Sequence, residues 1–181
     1  MGIAVTGGIA EGKSTVMGYL REMGYETASA DTMAREVFLD EEVQAKLADL
    51  IGCGVPVLAE VLRAEIASSD EIRRRVNQLM HPLVVKKMVA STAQAIEVPL
   101  LFETVLHPLF ERVWVVTCGK DIQLQRLTER LGNVQAAQGL IGTQLPTLVK
   151  CVFADEIIRT NGSGESVKAI VQSAISREFA K

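Results

Sequence analysis

The chain has 181 residues, 48% apolar and 23% charged, with 19 basic and 22 acidic side chains and a net charge of −3. That length suits one domain with a small insertion, the apolar share can build a core, and composition excludes disorder. The acidic balance excludes a nucleic-acid coat held by a general positive field, and no apolar run approaches the roughly 20 residues that span a bilayer, so a small-molecule protein is the leading class.

Aromatic residues are 4%, with Trp114 the single tryptophan, so the core is expected to be aliphatic. Cys53, Cys118 and Cys151 are widely spaced and form no CxxC pair. They read as small buried hydrophobes in a reducing, cytoplasmic setting rather than as a disulfide or zinc framework. The N-terminus lacks the charged start of a signal peptide.

In chain order, residues 2–6 read as a buried strand, and residues 14–23 as a helix with Val16, Leu20 and Met23 on one face. Gly24 stands where that helix is expected to end. Tyr25 to Ala28 suggests a short second strand, with Asp31 as a candidate N-cap of the next helix. Residues 31–51 read as helical with a break near Asp40, and 52–56 as a loop. Two or three helices are expected over 58–94, with Pro82 in the first turn of the last. Ala95 to Leu100 and Val113 to Thr117 read as apolar strands, and 120–131 as a helix. Residues 133–150 read as helical and loosely packed, Asp155 to Ile158 as a last strand, and Ser163 to Phe179 as a closing helix.

Apolar strands alternating with helices predict an α/β fold with a parallel sheet. The block 58–94 is too long for one crossover and reads as an insertion beside the sheet. Charge is uneven: residues 31–60 carry seven acids and two bases, whereas 61–90 carry six bases and three acids.

Gly7-Gly8-Ile9-Ala10-Glu11-Gly12-Lys13-Ser14 fits G-x-x-x-x-G-K-[ST], between a predicted strand and a predicted helix. The glycines let successive N–H groups converge on an anion, and the helix start adds its positive dipole end. Lys13 would carry charge to the β- and γ-phosphates, and Ser14 would offer a hydroxyl to Mg²⁺. The loop as far as Thr15 is therefore expected to bind a nucleoside triphosphate, and GTPases, ATPases and small-molecule kinases all share it. The guanine-reading N-K-x-D is absent. Asp49-Leu50-Ile51-Gly52 matches D-x-x-G, but it follows helical sequence and reads as coincidence.

Asp31 lies 18 residues beyond Lys13, at the end of the second predicted strand. A carboxylate there suits removal of a proton from an acceptor hydroxyl, and it equally suits a helix cap. Arg35, one turn later, is either a substrate contact or the partner of an i,i+4 ion pair. Arg126 and Arg130 share a helix face; Arg126 reads as part of a solvated basic face, as do most of Arg73-Arg74-Arg75.

The sequence resembles the dephospho-CoA kinases. The resemblance runs through Thr6-Gly7-Gly8-Ile9, Asp31 with Ala34-Arg35, His81-Pro82 and Pro99-Leu100-Leu101-Phe102-Glu103. It continues through Val113-Trp114-Val115-Val116, Gln125-Arg126-Leu127, Arg130, Gln144, Lys150 and Ala154-Asp155, and so covers nearly the whole chain. It implies a three-layer P-loop fold with five parallel strands, a helical CoA-binding insertion over about 58–94 and a lid over about 130–150. It also implies transfer of a phosphoryl group from Mg·ATP to the 3′-hydroxyl of dephospho-CoA, with ATP and Mg²⁺ required and a cytoplasmic protein, monomeric or oligomeric, acting without membrane or nucleic acid. Residues Gly8, Ile9, Ala10, Glu11, Gly12, Lys13, Ser14 and Thr15 would hold ATP. Asp31 would be the base and Arg130 the lid arginine. Arg35, His81, Leu100 and Glu103 would lie on the substrate side, with Lys150 in the lid. Ser29, Ala59, Leu140 and Thr160 depart from the family pattern and could impair turnover. Alternatives are a P-loop kinase with another acceptor, and a nucleotide- or CoA-binding relative that has lost catalysis.

Overall fold

In the computed structural model, which describes residues 1–179, the N-terminal apolar run forms β1 (Ile3–Thr6), buried at every position. A strand that is apolar on both faces needs cover on both. Accordingly β1 is the middle strand of a five-stranded sheet. The others are β2 (Thr27–Ser29), β3 (Ala95–Glu97), β4 (Arg112–Thr117) and β5 (Glu156–Arg159), in the order β2-β3-β1-β4-β5. Every pairing is parallel, and Val5 stands opposite Glu97 on one side and Trp114 on the other.

Side chains alternate across the sheet. Ile3, Val5, Ala95, Trp114 and Val116 meet Val16, Met17 and Leu20 of α1 (Lys13–Glu22) and Val171 and Ala174 of α9 (Gly164–Phe179). The opposite face carries buried Ala4, Val113 and Val115. α8 (Thr147–Cys151) packs against β4, while α6 (Lys120–Leu131) and α7 (Val134–Gly142) pack on each other. Trp114 has no exposed surface, so the largest core side chain is aromatic within an otherwise aliphatic cluster.

The chain divides into two compact units, Met1–Ser29 with Thr92–Lys181, and Ala30–Ser91. The second is all-helical: α2 (Ala30–Phe38), α3 (Glu41–Ile51), α4 (Ala59–Ser68) and α5 (Asp70–Val89). Val37, Val43, Leu47, Val57, Leu62 and Val76 form its core. The predicted break at Asp40 is an N-cap, whose carboxylate accepts the N–H groups of Glu42 (3.0 Å) and Val43 (3.2 Å).

Five expectations need correction. The helical unit begins at Ala30 rather than near 58, because α2 and α3 bury their apolar faces with α5 in one core. Pro82 lies inside the 20-residue α5. The apolar stripe Ile72, Val76, Leu79, Met80 and Val84 runs past it, and Pro82 itself is exposed, so packing outweighs the missing hydrogen bond. β3 ends at Glu97, and Leu100 lies in the turn beyond it. Asp31 is in the first turn of α2 rather than capping it, since that helix starts directly after β2. Cys53 is exposed in the 52–58 connection, so of the three cysteines only Cys118 is fully buried.

Candidate active site

The phosphate loop joins β1 to α1 across residues 7–12. A side chain at Gly7 would place Cβ 2.4 Å from the carbonyl oxygen of Val116, so the loop can leave β1 only at glycine. Ala10 (φ 61°) and Gly12 (φ 92°) both take left-handed conformations, which turn neighbouring N–H groups toward one concavity. Lys13 is 9% exposed, and its Nζ donates to the carbonyls of Gly7 (3.2 Å) and Gly8 (2.8 Å), closing the loop into a ring. Among the described residues, the N–H groups of Ala10, Gly12 and Ser14 have no partner in the chain. Unpaired donors at a helix N-terminus, beside a lysine, make a preformed anion site. Ser14 and Thr15 are exposed there. A Ser14 hydroxyl in that position fits a Mg²⁺ whose remaining ligands are phosphate oxygens and water.

A second layer fixes this loop. Thr160, just past β5, is buried and donates its hydroxyl to the Glu11 carbonyl (2.7 Å) while packing against Gly12. Arg126 on α6 donates to the Thr160 carbonyl (2.8 Å). Gln123, also on α6, donates to the Ile9 carbonyl (3.0 Å), and the Gln144 side chain accepts the Ile9 N–H (2.9 Å). Arg126 is therefore a half-buried support of the loop and not part of a solvated face. Thr160, read from the sequence as a departure from the family pattern, is tied into the phosphate loop.

Beyond β3, Lys150 has no exposed surface, although it lies in a stretch expected to pack loosely. Its Nζ pairs with Glu103 Oε1 (2.8 Å) and donates to the Pro99 carbonyl (3.3 Å). Glu103 also accepts the Leu145 N–H (3.0 Å). The residue as a whole is exposed, yet its side chain keeps only 22% of its surface. Burial pushes its carboxyl up, but the Lys150 hydrogen bond, two backbone N–H groups and the Lys150 charge outweigh it. The net result is a carboxyl below the ordinary glutamate value. Glu103 and Lys150 thus brace each other.

The other predicted residues are not among the partners just described. Arg130 is exposed in the last turn of α6, and Leu100 is 43% exposed. Asp31, Arg35 and His81 belong to the helical unit, where all three are exposed. Ser29 ends β2, Ala59 opens α4, and Leu140 is an exposed residue of α7. Sequence reasoning did not single out Thr117, Gln123 or Thr147, which carry no motif. Nor did it place Glu97, whose signal was legible: it is a carboxylate at the C-terminal end of the strand beside β1, where P-loop enzymes present an acid to Mg²⁺.

Comparison with known proteins decides which loop-bearing family this is. The dephospho-CoA kinase family model matches residues 1–166. The chain belongs to the dephospho-CoA kinase family. A dephospho-CoA kinase of Geobacillus kaustophilus is 35% identical over 182 residues, covering 92% of this chain and 90% of that one. One from Shouchella clausii is 32% identical, covering 98% of each. Among solved structures, the dephospho-CoA kinase of Campylobacter jejuni aligns over 98% of this chain and 96% of its own (TM-score 0.76, 22% identity), and an Acinetobacter baumannii shikimate kinase aligns over 98% and 94% (0.59, 17%). Those two alignments establish the P-loop kinase fold.

Proposed function

We propose that this chain phosphorylates the 3′-hydroxyl of dephospho-CoA with ATP, giving coenzyme A and ADP. The observation that carries the reading is a preformed phosphate loop in a chain whose family match runs from residue 1 to residue 166. Lys13 neutralises charge on the β- and γ-phosphates, and the unpaired N–H groups of the loop orient the triphosphate. Mg²⁺ supplies further neutralisation when bound, with Ser14 as its protein ligand. Asp31 takes the proton of the acceptor hydroxyl, and Arg130 stabilises the phosphoryl group in transfer. Arg35, His81, Leu100 and Glu103 serve the acceptor, with Glu103 held in place by Lys150. The helical block 58–94 is assigned to the CoA moiety and 130–150 to a lid.

An acceptor panel tests the substrate. Purified protein with Mg·ATP should turn over dephospho-CoA, giving a product one phosphate heavier, and should leave shikimate and gluconate untouched. Equal turnover of another acceptor, with none on dephospho-CoA, would overturn the assignment.

A further inference from the structure

Glu11 is the one acidic residue between Gly7 and Thr15, and the proposed transfer gives its side chain no task. It is 1% exposed. Oε2 accepts the N–H of Gly8 and the hydroxyl of Thr147 (2.7 Å), and Oε1 accepts the hydroxyl of Thr117 (3.2 Å). The Thr117 oxygen accepts the Gly119 N–H (3.2 Å), so its own hydrogen is directed at Glu11. Every contact is a donor, which is what an ionised carboxylate takes. Among the described residues no lysine, arginine or histidine forms an ion pair with it. The loop therefore presents unpaired donors for an anion while holding a buried carboxylate whose direct hydrogen-bond partners are neutral groups.

We infer that Glu11 limits the affinity of the loop for nucleotide phosphates, so that spent ADP is released rather than retained. The inference rests on the reading of residues 7–15 as the nucleotide site. A phosphate bound by the Ala10, Gly12 and Ser14 N–H groups would share the loop with Glu11, whose carboxylate accepts the Gly8 N–H. Like charges held in one loop at low effective dielectric repel strongly enough to change an equilibrium several-fold or more. Screening is weak at a buried group. The hydrogen bonds fix where the charge sits, and the charge opposes the ligand. Glutamine is nearly isosteric: it can keep the contacts with Gly8 and Thr147 and turn its amide toward Thr117, while the charge is lost.

The test is calorimetric titration of ADP and of inorganic tripolyphosphate into the full chain. Glu11→Gln should bind both ligands at least about fivefold more tightly than wild type. Glu11→Ser, which also removes the charge although its shorter side chain gives up the Gly8, Thr117 and Thr147 contacts, carries the same expectation should the glutamine variant not fold. Thr147→Val removes one hydrogen bond but leaves the charge, and it should not tighten binding. Glu11 variants that bind as wild type does, or more weakly, overturn the inference. So does Thr147→Val tightening as much as Glu11→Gln, because release of α8 would then explain the effect. Wild type that binds ADP while the variants bind no better leaves the nucleotide-site reading standing, whereas wild type that binds neither ligand removes that reading as well.

Discussion

Lys150→Met isolates the electrostatics of the Glu103 brace. Lys150 is fully buried and spends its ammonium on Glu103 at 2.8 Å and the Pro99 carbonyl at 3.3 Å. Methionine matches the aliphatic stem, so packing changes little. Removing one partner of a fully buried pair costs about 3–5 kcal/mol, because the other charge is stranded. Glu103 retains the Leu145 N–H and 22% of its side-chain surface, so the expected cost falls to about 2–3 kcal/mol. For a chain of this size that corresponds to a melting temperature lower by about 4–12 °C. Adding Glu103→Gln should recover at least about 1 kcal/mol, since the stranded charge is gone. The pH dependence has a definite sign. Glu103 sits below its unfolded value near 4.5, so its contribution is complete above that value and is lost as pH falls through the lower folded one. In Lys150→Met the main depressing partner is missing, and the acid loss should diminish. Urea unfolding at pH 7 and at acid pH measures both effects. A single variant costing under about 0.5 kcal/mol, or a double variant costing the sum of the singles, would refute the reasoning.

Other expectations follow from the same geometry. Asp31→Asn should lower kcat at least about a hundredfold with the fold intact by circular dichroism, and near-normal turnover would remove Asp31 from its role as base. Lys13→Met should reduce kcat/KM by about a hundredfold or more, read from initial rates across ATP concentrations. Thr160→Val deletes the bond to the Glu11 carbonyl and a long contact of Arg126 with the Thr160 hydroxyl (3.4 Å), while the Arg126 bond to the Thr160 carbonyl remains. It should cost about 1–2 kcal/mol in urea unfolding and raise KM for ATP. A thiol-specific reagent at neutral pH should label exposed Cys53 well before Cys118 and Cys151, whose thiols burial pushes upward; mass mapping of partially labelled protein checks the order.

The strands and the loop were legible because local signals and tertiary context agree. Ile3–Thr6 is apolar on both faces, Gly7 and Gly12 stand where the backbone has no room or takes positive φ, and Asp40 caps the helix that it interrupts. The helical unit was legible in its elements but not in its extent. Nothing local to residues 30–57 says that Val37 and Leu47 pack with Val76 rather than against a sheet. Pro82 misled for the converse reason: a local preference was overridden by the apolar stripe running past it. The second layer of the site was the least legible part. Thr117, Gln123, Thr147 and Thr160 reach the loop from four separate places, and their value lies in distances that single-chain patterning does not carry. Glu97 could have been read from its place at a strand end two residues before Pro99.

The central claim is a phosphoryl transfer to dephospho-CoA, and a coupled ADP-release assay on the purified chain measures it most directly. With Mg·ATP present, adding dephospho-CoA should start ADP release, with one coenzyme A formed per ADP. ADP release no faster than with buffer alone, while a related dephospho-CoA kinase turns over in parallel, would contradict it.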